Sequence, residues 1–319
     1  MARIRRGATT ISGIVAIDKP LHSTSHDVVN RIRFLTGEGR VGHAGTLDPL
    51  ATGLLLVCIG PATRLSHYLI KHDKVYQARI SFGSATTTDD AEGEVIASSP
   101  VPDVVSDELA ASSFLMALSG EHEQLPPAFS AIKKNGQVAY KQARKGEQPE
   151  LEPRRILIRE ALLEAIGNQY WDVRFTVSAG TYIRALARDI GQALGTCAHL
   201  GSLRRVRCGN SDIAQAFKMD QLDERVERCF IDPVDSLGFP VVSLDGSQKD
   251  QVRSGKALCW ERLRTDRDRQ MQRYSYQGIE GELFSVVADN ELLAIYRRDS
   301  EATILLPDIV LSGGVRGVR

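Results

Sequence analysis

Cysteine is sparse and unpaired in this chain. The five cysteines, Cys58, Cys197, Cys208, Cys229 and Cys259, are widely scattered, and no Cys-x-x-Cys pair occurs. That pattern excludes a disulfide frame and a cysteine zinc site and reads as reduced cytosolic thiols. The seven histidines also lack metal-ligand spacing, so no metal is expected. No apolar run approaches the roughly 20 residues that cross a bilayer, so no membrane span is expected. The basic start Met1-Ala2-Arg3-Ile4-Arg5-Arg6 is not followed by a hydrophobic signal core, and a cytoplasmic location is expected. Neither charge is in excess. Lys plus Arg number 40 and Asp plus Glu number 40, so the bulk composition announces no general affinity for nucleic acid. There is no internal repeat.

What is present is enough apolar residue, 42% of 319, for one large domain and a small one. Charge is uneven along the chain. Ser84 to Gln124 holds nine acids and no Lys or Arg, whereas Ala131 to Glu160 holds eight bases against four acids. Arg204, Arg205 and Arg207 form a second basic cluster. Such runs read either as solvated surface or as phosphate-binding patches on a neutral protein.

Gly13 to Ile17 reads as a strand. Ser23-Thr24-Ser25 then caps a helix with Val28, Val29, Ile32 and Leu35 on one face, stopped by Gly37. A helix is expected from Pro61 to about His72, a half-buried strand over Tyr76 to Phe82 and a surface helix over Ser106 to Leu118. Strands follow over Arg155 to Leu163 and Trp171 to Val177, then a helix over Tyr182 to Leu194. Strands and helices mix without a regular βαβ rhythm. The expected fold is therefore α+β, with a mixed, largely antiparallel sheet and flanking helices. Beyond Asp235 the texture changes to short strands, with a charged loop over Arg262 to Arg273. The expected domains are residues 1–237 and a small β domain over 238–311. A Gly-rich, disordered tail is expected over 312–319.

One stretch stands out. Gly42 to Gly53 reads Gly-His-Ala-Gly-Thr-Leu-Asp-Pro-Leu-Ala-Thr-Gly and leads into the apolar run Leu54 to Ile59. A single carboxylate, Asp48, thus sits on a tight glycine-framed loop anchored to a core strand. That suits a catalytic acid presented from a rigid scaffold. The same Asp-Pro also serves as an ordinary turn starter.

This loop closely resembles the signature of TruB-type tRNA pseudouridine synthases. Four further blocks are similar in the same order. They are Gly13 to Pro20 with Thr24-Ser25 and Val28-Val29; Tyr76 to Gly93; Leu125 to Lys133 with Gly136, Tyr140, Ala143 and Arg144; and Ser178 to Arg184 with Asp189-Ile190-Gly191, Ala198-His199-Leu200 and Leu203-Arg204-Arg205. The resemblance spans roughly residues 11 to 240, and the β region after it more weakly resembles a PUA-type RNA-binding domain. Leu56 and Arg64 stand where the family often has Pro and Lys.

The resemblance implies an isomerase that turns uridine into pseudouridine in the T-arm of tRNA, at position 55, without a cofactor. The base is flipped from its stack, its glycosidic bond is broken and it rejoins through C5. Asp48 would be the catalytic carboxylate, acting at the sugar or the base or assisting elimination. Arg184 would keep it ionised. Tyr76 would stack on the base or move a proton, and His43 would stack into the gap. Tyr182, Ile183 and Leu203 would line the base pocket. Lys19, Arg64, Lys133, Arg204 and Arg205 are the candidates for RNA contact, through backbone phosphates above all. The stand-alone bacterial type implies a monomer with tRNA as its only partner. Three other readings are weighed: a non-catalytic tRNA-binding and folding protein, an RNA-guided synthase subunit, and a small-molecule glycosidase. The last lacks the second strong acid it needs.

Overall fold

The computed structural model describes residues 9–130, 132–134, 137–138, 140, 142, 150–266, 281–298 and 303–318. The chain forms two compact units, Met1–His72 with Arg207–Arg319, and Asp73–Val206.

Four elements open the first unit: β1 (Gly13–Lys19), α1 (Ser25–Thr36), β2 (Val41–His43) and β3 (Ala51–Ile59). β1 lies antiparallel to β3 with Ala16 opposite Leu56, and β2 also pairs antiparallel with β3, His43 facing Val57. β3 is buried along almost its whole length. That is why Leu54 to Ile59 is continuously apolar instead of alternating. Thr24 caps α1: its hydroxyl accepts from the Asp27 N–H while the Asp27 carboxylate accepts from the Thr24 N–H, and Gly37 closes the helix. The helix expected from Pro61 to His72 is instead a 3-10 helix, Gly60–Leu65, followed by one turn, α2 (Ser66–Leu69). The Thr63 and Ser66 hydroxyls each donate to a carbonyl three residues back, which suits the tighter winding.

The second unit holds β4 (Lys74–Phe82), the hairpin β5 (Ser84–Thr86) and β6 (Val95–Ser98), α3 (Glu108–Ala117) and β7 (Gly120–Gln124). It continues with β8 (Arg154–Gly167), β9 (Tyr170–Val177), α4 (Ile183–Ala193) and β10 (Ala198–Cys208), whose last two residues belong to the first unit. Its sheet runs in the order β10, β4, β9, β8, β7. The β4–β9, β9–β8 and β8–β7 pairs are antiparallel. One face buries Ala78, Ile80, Val173, Phe175 and Trp171, and the Trp171 indole donates to the Val105 carbonyl at 2.8 Å.

The chain returns to the first unit through α5 (Pro233–Leu237), β11 (Val241–Ser243) and α6 (Gly246–Arg253). β12 (Glu282–Ala288), β13 (Glu291–Arg298) and β14 (Ile304–Val315) complete it. With β11 and two short strands they make a six-stranded sheet. This sheet is buried on both sides. Val242, Val252, Phe284, Leu293 and Leu305 form one apolar cluster, while Val241, Leu283, Leu292, Ile309 and Val315 join Ile14, Leu54, Leu56 and Tyr68 in another. The shared cluster is why the expected boundary at 237/238 falls inside a unit. Tyr68 lies at this seam, its hydroxyl donating to Asp308 and its ring edge-on to Phe239 at 5.5 Å. Burial, then the Asp308 carboxylate, pushes its phenol far above the ordinary range.

Two expectations need correction. Residues 312–316 are not part of a disordered tail, because β14 runs to Val315, which is fully buried, and the Arg316 N–H donates to the Ser12 carbonyl at 3.1 Å. Gly313 and Gly314 take left-handed φ of 87° and 70° and form a bend in the strand. Of the charged loop over Arg262 to Arg273, Arg262 ends a 3-10 turn begun at Trp260, residues 264–266 form a strand on β11, and residues 267–273 lie outside the described residues.

Candidate active site

Asp48 sits half-buried in the β2–β3 loop, and the loop is fixed on both sides of it. Before it, Leu47 is held twice by the buried Ser25 side chain at the start of α1. The Ser25 hydroxyl donates to the Leu47 carbonyl at 3.0 Å and accepts from the Leu47 N–H at 2.9 Å. After it, Pro49 accepts from the His22 N–H at 2.9 Å, and Asp48's own carbonyl accepts from the Ala51 N–H at 3.0 Å. Gly45 in the loop and Gly53, the third residue of β3, take φ of 101° and 100°, a region closed to most side chains. Ala44 and Leu47 are buried, so packing reinforces these bonds. His43, at the end of β2, opens the same loop and is half-buried.

The turn after β1 is brought against this loop by the His22 bond, and Lys19, the last residue of β1, leads into that turn. Its placement is not that of a phosphate ligand. The side chain is fully buried, and its ammonium donates to the Pro20 carbonyl at 3.0 Å and the Ser23 carbonyl at 2.6 Å. Lys19 therefore braces the turn from inside. Arg64 is exposed, as a phosphate ligand should be, although its guanidinium also donates to the Val310 carbonyl of β14 at 2.6 Å.

In the second unit Tyr182, Ile183 and Arg184 come together at the start of α4, with Tyr182 at the cap position. Gln124, 2% exposed, fixes that start: its amide donates to the Tyr182 carbonyl at 3.1 Å and accepts from the Tyr182 N–H at 2.9 Å. Arg184 is buried. It donates to the Thr88 carbonyl at 3.0 Å and the Phe129 carbonyl at 2.9 Å, and its Nε lies 3.7 Å from Asp90. Asp90 in turn accepts from the Thr88 hydroxyl at 2.5 Å and the Glu92 N–H at 3.1 Å. The plane of the guanidinium is thus set from three directions. Tyr76 is buried on β4 opposite Phe175 and belongs to the same unit.

Leu203 and Arg204 are half-buried on β10. Arg205 is 1% exposed. That burial rules against the expected phosphate contact by Arg205, since a guanidinium removed from solvent does not meet an RNA backbone. Lys133 lies on a two-residue strand facing Val138, and its side chain is outside the described residues. No metal-binding group of His, Cys, Asp or Glu occurs among the described residues.

Sequence reasoning gave no role to Ser25 beyond capping, and none to Asp89, Asp90, Gln124 or Arg188. Asp89 and Asp90 sit in the acid-rich stretch that reads as solvated surface. The available signal was the spacing of Arg184 and Arg188, four apart on one helix face.

Comparison with known proteins adds a family. The sequence pattern described as TruB family pseudouridylate synthase (N terminal domain) matches residues 33–183, and that of the tRNA pseudouridylate synthase B C-terminal domain matches 184–237. A protein of Cutibacterium acnes named tRNA pseudouridine synthase B is 38% identical over 302 residues, 92% of this chain and 95% of the relative. One of the same name from Mycobacterium sp. (strain KMS) is 45% identical over 258 residues, 79% of this chain and 86% of the relative. Among solved structures, a chain of a Cbf5-Nop10-Gar1 complex aligns with a TM-score of 0.68 at 24% identity, over 97% of this chain and 86% of that one. At that identity the likeness shows the fold.

Proposed function

Because the chain belongs to the TruB family of pseudouridylate synthases, we propose that it makes pseudouridine at position 55 in the T-arm of tRNA, with Asp48 as the catalytic carboxylate. The coarser activity follows from membership: the protein is an isomerase that forms pseudouridine in tRNA. The observation that carries the finer reading is the Asp48 loop. Its neighbours Leu47 and Pro49 are each pinned to the turn and helix start that follow β1. A carboxylate on so constrained a backbone is positioned before substrate arrives.

The reaction breaks the bond between C1′ and N1 of the uridine, turns the base, and joins C1′ to C5. A proton leaves C5 and one ends on N1, so nothing is oxidised and no cofactor is called for. Breaking the glycosidic bond builds positive charge on the ribose, which a carboxylate offsets or captures covalently. Arg184 is the active-site arginine in this reading. Tyr76 contacts the flipped base, His43 fills the space it leaves, and Tyr182, Ile183 and Leu203 wall the pocket. Arg64, Arg204 and Lys133 contact backbone phosphates, and the C-terminal sheet holds the RNA in the manner of a PUA domain. The protein works as a monomer without a protein partner.

Purified protein and an unmodified tRNA transcript test this. Carbodiimide mapping should show pseudouridine at position 55, and a bare T-arm hairpin should also be modified. The Asp48→Asn variant should bind the RNA and lose at least about a thousandfold in rate, as removal of a nucleophile does elsewhere. Modification at other positions alone, or an Asp48→Asn protein working at the normal rate, would refute the proposal.

A further inference from the structure

Helix α4 carries a second arginine, Arg188, one turn beyond Arg184 and on the same face. The two make parallel sets of contacts. Arg184 meets Asp90 on one side and the Phe129 carbonyl on the other. Arg188 donates to Asp89 at 3.0 Å on one side and to the Leu125 carbonyl at 2.8 Å on the other, and its Nε donates to Asp189 at 2.9 Å. Two consecutive aspartates and two carbonyls four residues apart are thereby held by two arginines four residues apart.

We propose that Arg188 is a positioning residue for pseudouridine formation: paired with Asp89, it sets the segments at 88–90 and 125–129 against α4 and so fixes the Arg184 guanidinium. The inference rests on the role given to Arg184 above. Thr88, Asp90 and Phe129 are the partners of Arg184, and every one of them lies within or beside a segment that Arg188 grips.

Stability alone is a poor reason for this arrangement. The side chains of Arg188 and Asp89 are 21% and 19% exposed, and the desolvation of charges this deep offsets much of their attraction. What a guanidinium supplies is direction, since its donors point along fixed axes. Asp89 also has a φ of 59°, a left-handed conformation that Asp and Asn tolerate better than most residues. Burial raises the Asp89 carboxyl above its ordinary range, Arg188 and Arg184 oppose that rise, and Asp189 adds to it. The ionisation of Asp89 therefore depends on the arginines it helps to hold.

The test uses the full-length protein on unmodified tRNA, with Arg188→Gln, Asp89→Asn, the double variant and Arg188→Lys. Single-turnover rates at saturating tRNA, tRNA affinity and thermal melting are measured for each. Each single variant should slow the chemical step roughly tenfold, as a small misplacement near a reacting centre does, with affinity unchanged. The double variant should be no slower than the worse single one, because the pair acts as a unit. Arg188→Lys should stay slow, since one ammonium does not reproduce a planar fork that holds two aspartates and a carbonyl. Asp89→Asn is nearly isosteric and suits the left-handed backbone, so it reports even if an Arg188 variant does not fold. Normal rates in Asp89→Asn, or losses that multiply in the double variant, would overturn the inference while leaving Asp48 and the activity intact. A wild-type protein that makes no pseudouridine would overturn both.

Discussion

Asp48 and Arg184 belong to different units and are held by different kinds of bond. The main-chain anchors of the Asp48 loop are neutral: the Ser25 hydroxyl on both polar atoms of the Leu47 backbone, the His22 N–H on the Pro49 carbonyl and the Ala51 N–H on the Asp48 carbonyl. They fix the main chain on either side of the carboxylate. Around Arg184 the anchors are carbonyls and a carboxylate, because a cation taken out of water needs its donors satisfied or its charge balanced. The comparison teaches that the loop carrying Asp48 is fixed through its main chain, whereas Arg184 is fixed by partners at the end of its side chain.

The difference gives perturbations with opposite signatures. Among the anchors, the largest effect on rate is expected on the charged side. Asp90→Asn keeps the shape but removes the charge beside Arg184, and it should lower the single-turnover rate roughly a hundredfold. tRNA affinity should change little. If this variant melted earlier but turned over at the normal rate, the charged anchor would be scaffolding only, and the contrast between the two sides would vanish.

Next comes the neutral side, where stability should respond more than chemistry. Ser25→Ala leaves the buried Leu47 N–H and carbonyl without their shared partner, a loss of about 1–3 kcal/mol. Thermal melting should fall accordingly. The rate, measured below the transition, should fall by much less than in Asp90→Asn. A rate loss as large as that of Asp90→Asn would mean that Asp48 is placed less by the rest of its loop than by this one hydroxyl.

The same contrast explains what the sequence disclosed. Backbone-level features were legible because they depend on local rules. The Thr24 cap, the Gly37 stop, the alternation of β4, the buried run of β3 and the amphipathic spacing of α4 all appear where residue chemistry puts them. So does the glycine-framed loop around Asp48. Side-chain partnerships were not legible, because which acid meets which base is settled by the fold. Asp89 and Asp90 read as members of a solvated acidic run, yet they turn toward α4. Lys19 read as a phosphate ligand by residue type, yet two nearby carbonyls hold it in the interior. Composition also misled at the C-terminus. Gly313-Gly314 suggested disorder, whereas the glycines bend a strand that inserts Val315 into the core.

The smallest expected effect concerns the cap of α1, the helix whose first residue, Ser25, bonds the Asp48 loop. Thr24→Ala removes the hydroxyl that caps the helix and bonds Asp27, a change worth about 1 kcal/mol at neutral pH. The Thr24 side-chain bond, then the Thr24 N–H, holds the Asp27 carboxyl below its ordinary value. A carboxylate depressed in the folded state contributes stability above its unfolded pKa, about 3.9 for aspartate. That contribution is lost as pH falls through the lower folded value. The melting difference between wild type and Thr24→Ala should therefore be largest near neutrality and narrow below about pH 4. The rate of pseudouridine formation should barely change, since Ser25 keeps its bonds to Leu47. A gap that widened on acidification would show that the cap does not act through the Asp27 carboxylate. A large rate loss at neutral pH would show that the loop's neutral anchors depend on the helix end as a whole.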